Sequence, residues 1–112
     1  MSGGSNRPGL YVRFAESDPA AAVERAAQLS AHKAHLRNGE AMAEGFRILA
    51  SGPMSAVAGG SSAALIIAEA LSIEDVITFS DADPFVIHGV YKRIHISSWT
   101  PTLSIISGLE TG

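Results

Sequence analysis

Four short runs in which apolar and polar residues alternate, set around two stretches of helical periodicity, confine this chain to very few architectures. In the first run Leu10, Val12 and Phe14 fall on one face and Tyr11 and Arg13 on the other, the pattern of a strand with one apolar side. Asp18 and Pro19 then open a helix: the aspartate accepts a free backbone N–H, and proline suits the first helical position. Ala22, Ala26, Leu29 and Leu36 recur at helical spacing as its buried stripe. Asn38-Gly39 ends it, with Gly39 expected in the left-handed conformation. A second strand follows over 45–54, with Phe46, Ile48 and Ala50 opposed to Arg47, Leu49 and Ser51, and Pro53 expected to stop its pairing near Gly52. After a small-residue turn, "SAVAGGSS", residues 64–69 form a more apolar strand suited to the centre of a sheet.

Ser72 and Asp75 match a capping box, which predicts a second helix reaching about Ser80. A short extra turn from Pro84 to His88 is closed by Gly89, and 91–99 gives a fourth strand with Ile94 and Ile96 inward and Arg93, His95 and Ser97 opposed. Strand, helix, strand, strand, helix, strand is the split βαβ, or ferredoxin-like, arrangement: an α+β fold with both helices on one face of a four-stranded antiparallel sheet. The opposite face, carrying residues such as Leu49 and Ile67, is too apolar to be left in water. A second copy of the chain is its simplest cover, so a homodimer packed through the open sheet face is expected.

The length, 112 residues, suits one domain with a single modest core. A net charge of −3 with scattered Lys and Arg gives no footing for nucleic acid. The longest apolar run, Ala63 to Ala68, is far too short to span a membrane. Cysteine is absent, which excludes disulfides, thiolate metal sites and a cysteine nucleophile and fits a cytoplasmic location. The start, "MSGGSNRPG", has neither the apolar core of a signal peptide nor the character of a transit peptide and reads as a flexible tail over 1–9. The globular domain is expected over 10–100. Residues 101–112 form a C-terminal tail, which Leu103, Ile105 and Ile106 favour ordering in part.

The chemistry-bearing residues are few. Each of His32, His35, His88 and His95 is a candidate acid or base, since imidazole titrates near neutrality. His32 and His35 lie three apart on the first helix, but two ligands without a carboxylate at matching spacing do not make a zinc site. His88 complements the dipole at the end of its short turn, and His95 belongs to a strand surface. His35, toward the C-terminal end of the first helix, is favoured by spacing alone as a complement to the helix dipole or a helix-surface residue. Asp83, held out of helix by Pro84, is well placed to cap the turn that Pro84 starts. No phosphate cradle and no nucleophile elbow is present. On these residues alone the chain is a small dimeric domain with acid–base candidates and no nameable reaction.

Two longer stretches add to this. "HLRNGEAMAEGFRILASGPM" and "ALIIAEALSIEDVITFSDADPFVIHGVYKRIHISSW" together resemble the YciI-like, or YCII-related, family. The marks are the His-Leu of the first helix, the Gly-Pro of the second strand, the Asp-Pro-Phe after the second helix, and the Gly-aromatic step leading to a last strand that ends in Trp. The resemblance implies a dimeric α+β barrel and a His/Asp pair in a cleft, carried here onto His35 and Asp83. It also implies chemistry on hydroxylated aromatic or lactone-like rings, of lyase, isomerase or dehydrochlorinase type; one such relative acts on a chlorinated hydroxyquinol. Under that reading His35 moves a proton and Asp83 orients it. Arg13, on the strand face away from the helices, holds an oxyanion or carboxylate, and Ser51 and Gly52 line the cleft. Neither a cofactor nor a metal is required. The competing reading is a non-catalytic dimeric ligand-binding or regulatory module, with His35 and Asp83 as structural caps.

Overall fold

In the computed structural model residues 7–55 and 62–104 are described. Strand β1 spans Gly9–Ser17, and a 3-10 turn at Pro19–Ala21 leads into helix α1, Ala22–Arg37. A second such turn, Gly39–Ala41, precedes β2 (Arg47–Met54) and β3 (Ala63–Ala70). Helices α2 (Ile73–Asp81) and α3 (Pro84–Ile87) follow, then β4 (Tyr91–Ser98). The strands are antiparallel in the order β2-β3-β1-β4, as in ferredoxin-like domains. The turn over 56–61, and Ile105 and Ile106 of the tail, lie outside the described residues.

Local chemistry sets the starts of the first 3-10 turn, α2 and α3, while α1 continues from that turn with no side-chain cap of its own. The Asp18 side chain accepts from the backbone of Ala20 at 3.0 Å, Ser72 from that of Asp75 at 3.4 Å, and Asp83 from that of Phe85 at 2.9 Å. Gly89, at φ 70°, closes α3 as its sequence predicts. Gly39 differs from expectation: it is not left-handed. A Cβ there would meet Phe46 at 3.2 Å and Phe79 at 3.3 Å, so glycine is present to let the chain approach two core rings.

Three expectations about faces are corrected by the packing. On β1 the apolar Leu10, Val12 and Phe14 turn away from the helices, while Arg13, Ala15 and Ser17 face them and are buried. Arg13 is therefore on the helix side, because its guanidinium finds a carboxylate there and its burial is compensated. On α1 the inward positions are the half-buried Arg25, Gln28, His35 and Leu36 and the buried His32, whereas Ala22, Ala26 and Leu29 are exposed. This helix leans on α3 rather than lying flat on the sheet, so its apolar stripe borders a gap instead of a packed layer. Finally, β2 continues through Pro53: it is an edge strand, where the missing N–H can point away from the ladder.

The β2–β3 register slips between Ile48 and Ala50, leaving Leu49 as the extra residue of a bulge. One consequence matters for the site. Beyond the bulge Ser51 is paired with Ile66, on the helix side, where strict alternation from Arg47 would have put it on the open face. The core has two parts. Phe46, Ile66, Ala68, Val76 and Phe79 pack between the sheet and α2, and Ala15, Phe85, Val90 and Tyr91 pack beneath α3. Burying each of these Phe and Val side chains contributes about 1.5–3 kcal/mol. On the open face Val12 stands opposite Ile67 and Phe14 opposite both Leu65 and His95.

Candidate functional site

The site grows from the cap of α3. Pro84 holds Asp83 in extended backbone (φ −67°, ψ 125°), and the side chain turns back to accept the Phe85 N–H through Oδ1. The same Oδ1 is 2.8 Å from His32 Nδ1, and Oδ2 accepts from Arg13 Nη1 at 2.9 Å. Asp83 is 0% exposed and Arg13 1%. Arg13 Nη1 also reaches Ser80 Oγ at 3.3 Å, and Nη2 reaches the Tyr91 hydroxyl at 3.5 Å. A carboxylate so deeply buried persists only because donors surround it. Burial alone would raise its pKa; the bonds from His32 and Phe85 and the charge of Arg13 outweigh burial and hold it below its ordinary value. Burial acts unopposed enough on Tyr91 to push its hydroxyl above the usual tyrosine value, so it stays a proton donor at neutral pH.

An ionised Asp83 can only accept, and this fixes the imidazole. His32 Nδ1 must carry a proton, so the neutral form of the ring has its lone pair on Nε2. The ring cannot rotate freely, since it stacks on Phe85 with centroids 3.9 Å apart and planes 5° from parallel. His32, Arg13, Ser51, Gly52, Phe85 and Tyr91 all line a cleft of about 430 Å³ between α1 and the sheet. Its remaining lining is mainly apolar, including Leu29, Leu36, Pro53 and Ile66. A cleft of this size with a few convergent polar groups fits a small organic ligand.

The partner of Asp83 is thus His32, where His35 was expected. His35 lies one turn further along α1, against α2. Its Nε2 donates to the backbone carbonyl of Phe79 at 2.8 Å, and its ring stacks on that of Phe79 at 4.2 Å. It does not line the cleft. His88 and His95 are exposed, and among the described residues no group of three or more His, Asp or Glu is placed to hold a metal. Phe85 and Tyr91 enter the sequence reading only as family marks and Ser80 only as a helix end; none of the three is a site candidate there. His32 left a signal: it stands between Leu29 and Leu36 on the stripe itself, a polar residue in an inward phase.

A ferredoxin-like α+β domain with an Arg–Asp–His chain buried behind an apolar cleft is the class that this fold and site define. The chain belongs to the YCII-related domain family, whose model matches residues 9–100. It is 37% identical over 93 residues to the protein YciI of Escherichia coli and equally to that of Shigella flexneri, covering 78% of this chain and 92% of each relative. Among solved structures it is similar to a 5-chloro-2-hydroxyhydroquinone dehydrochlorinase from Burkholderia phenoliruptrix in complex with 2,5-dihydroxybenzoquinone. The TM-score is 0.64 at 23% identity, over 81% of this chain and 93% of that one. That likeness is one of fold. Among the described residues no helix is long and apolar enough to cross a membrane.

Proposed function

We propose that this protein is a cofactor-independent enzyme that moves a proton on a small hydroxylated ring or lactone-like substrate, with His32 as the acid–base group and Asp83 as the residue that orients it. The observation that carries this reading is the 2.8 Å contact from His32 Nδ1 to a buried, accept-only carboxylate, which leaves the Nε2 lone pair uncommitted on a ring that lines the cleft. His35, the sequence candidate, has its Nε2 proton committed to a backbone carbonyl. In lyase or dehydrochlorinase-type chemistry Nε2 takes the proton from a ring hydroxyl or C–H, electrons move into the ring, and the leaving group departs. The fold shared with a dehydrochlorinase supports the class of reaction. Arg13 helps keep Asp83 ionised; Ser51 and Gly52 lie where they can contact the substrate. The absence of cysteine favours a cytoplasmic setting.

The test is a panel of hydroxylated aromatics, chlorinated hydroxyquinols and enol lactones, followed by ultraviolet absorbance. Turnover of at least one member, lowered at least about a hundred-fold in His32→Asn, is expected. Ligands that bind with no turnover across the panel would favour the non-catalytic module instead.

We also propose a homodimer through the open sheet face, because Val12, Phe14, Leu65 and Ile67 share it. Sedimentation at micromolar concentration should give about twice the 11.6 kDa chain mass, and Phe14→Asp should yield the monomer. A wild-type monomer would sink this arrangement.

A further inference from the structure

The wall of the cleft carries two cations, Arg25 and Lys33, that no carboxylate among the described residues neutralises. Of the eight Lys and Arg residues, Arg13, Arg47, Lys92 and Arg93 each face a carboxylate. Arg25 and Lys33 line the cleft and have no carboxylate partner among the described residues; Arg7 and Arg37, away from it, have none either. No described Asp or Glu lines the cleft, although the whole chain has a net charge of −3. The local balance therefore runs against the global one.

Arg25 is held in place. Its Nη1 donates to Ser17 Oγ at 2.9 Å, and that serine is 6% exposed at the end of β1. Its guanidinium carbon lies 5.3 Å from the centre of the Phe85 ring. A guanidinium carries five N–H donors, so one bond to a hydroxyl leaves a fork available. The Phe85 ring is also the one on which His32 stacks at 3.9 Å, so the imidazole and the guanidinium lie within about 9 Å of each other, both being measured from one ring centre. The upper end of that range suits a six-membered ring bearing a carboxylate on one side and a reacting hydroxyl or C–H on the other.

We propose that Arg25 is the carboxylate-binding group of the cleft and that the ligand is a small planar ring acid. Its ring lies against the apolar wall formed by Leu29, Pro53 and Ile66, its carboxylate on Arg25, and its reacting edge at His32. Lys33 adds attraction without a fixed contact, and Ser17 is a positioning residue for the Arg25 fork. The assignment rests on the cleft being the substrate site and supplies the anionic end that the acid–base reading leaves open.

Equilibrium binding of protocatechuate and catechol, which differ only in the carboxylate, tests it by calorimetry on wild type, Arg25→Gln and His32→Asn. The wild type should bind protocatechuate about ten-fold tighter than catechol or better, the expected size for a charge-assisted bond. Arg25→Gln should lose that preference with catechol unchanged, and His32→Asn should keep it. In the wild type, about 0.5 M salt should weaken protocatechuate and leave catechol unaltered. Equal binding of the two compounds, an undiminished preference in Arg25→Gln, or no binding of either at millimolar concentration overturns the assignment. Because the readout is binding, a missing turnover would sink the acid–base reading while leaving this one standing.

Discussion

His32→Asn is expected to lower turnover about a hundred- to ten-thousand-fold, the usual contribution of a positioned acid or base. Asparagine is the informative substitution. Its amide nitrogen falls near the position of Nδ1, so it can still donate to Asp83 Oδ1, while nothing replaces Nε2. The chain should therefore fold with its buried carboxylate still partnered and lose only the basic nitrogen and the stack on Phe85. His35→Ala provides the contrast. It removes a bond to the Phe79 carbonyl and a ring contact outside the cleft, so it should cost about 0.5–1.5 kcal/mol of stability and change turnover little. Measured kcat/KM and urea midpoints for the two variants separate the roles. Equal loss of turnover in both would mean that the dyad has been assigned to the wrong histidine.

Asp83→Ala should be the most damaging single change to the fold. It strips from Arg13 its one carboxylate partner among the described residues and leaves a cation that is 1% exposed without compensation. Removing one partner of a buried ion pair costs about 3–5 kcal/mol, and the lost cap on Phe85 adds about 1 kcal/mol. Against a typical total of about 5–15 kcal/mol, the variant should unfold at much lower urea, or fail to fold. The same group sets an acid limit. Its folded pKa is depressed, so the folded state binds fewer protons than the unfolded chain below the ordinary value of 3.8. The Asp83 contribution is complete above about pH 5 and is lost as pH falls through 3.8 and on to the depressed folded value. Tyr91 acts at the other end: its raised pKa makes the stability it supports fall as pH climbs past 10.0. Urea midpoints measured from pH 3 upward in the wild type should show the acid loss. A midpoint flat down to pH 3 would contradict the buried ionised carboxylate.

Much of this was legible in the chain itself. The caps at Asp18, Ser72 and Asp83 are local chemistry, and the structure has each where the residue types require it. Strand and helix order follow from periodicity and lead directly to the sheet topology. The faces were harder to read, for reasons that lie outside local sequence. Alternation in β1 says that Arg13 opposes Val12 and Phe14, but only tertiary pairing decides which side meets the helices, and the buried charge network decided it against hydrophobicity. The bulge at Leu49 turns Ser51 over with no glycine or proline beside it to announce the slip. His32 and His35 share the inner side of α1; choosing between them depends on how far along α1 the start of α3 docks. A histidine placed between Leu29 and Leu36 was the available clue.

The imidazole tautomer of His32 tests the account most directly. Nitrogen NMR of labelled protein, followed to alkaline pH, reads it without a substrate. A proton on Nδ1, protected from exchange by its bond to Asp83, and an unprotonated Nε2 are expected. A His32 ring protonated on Nε2 instead would show that Asp83 does not hold it as described, and the lone pair on which the proposed reaction depends would not face the cleft.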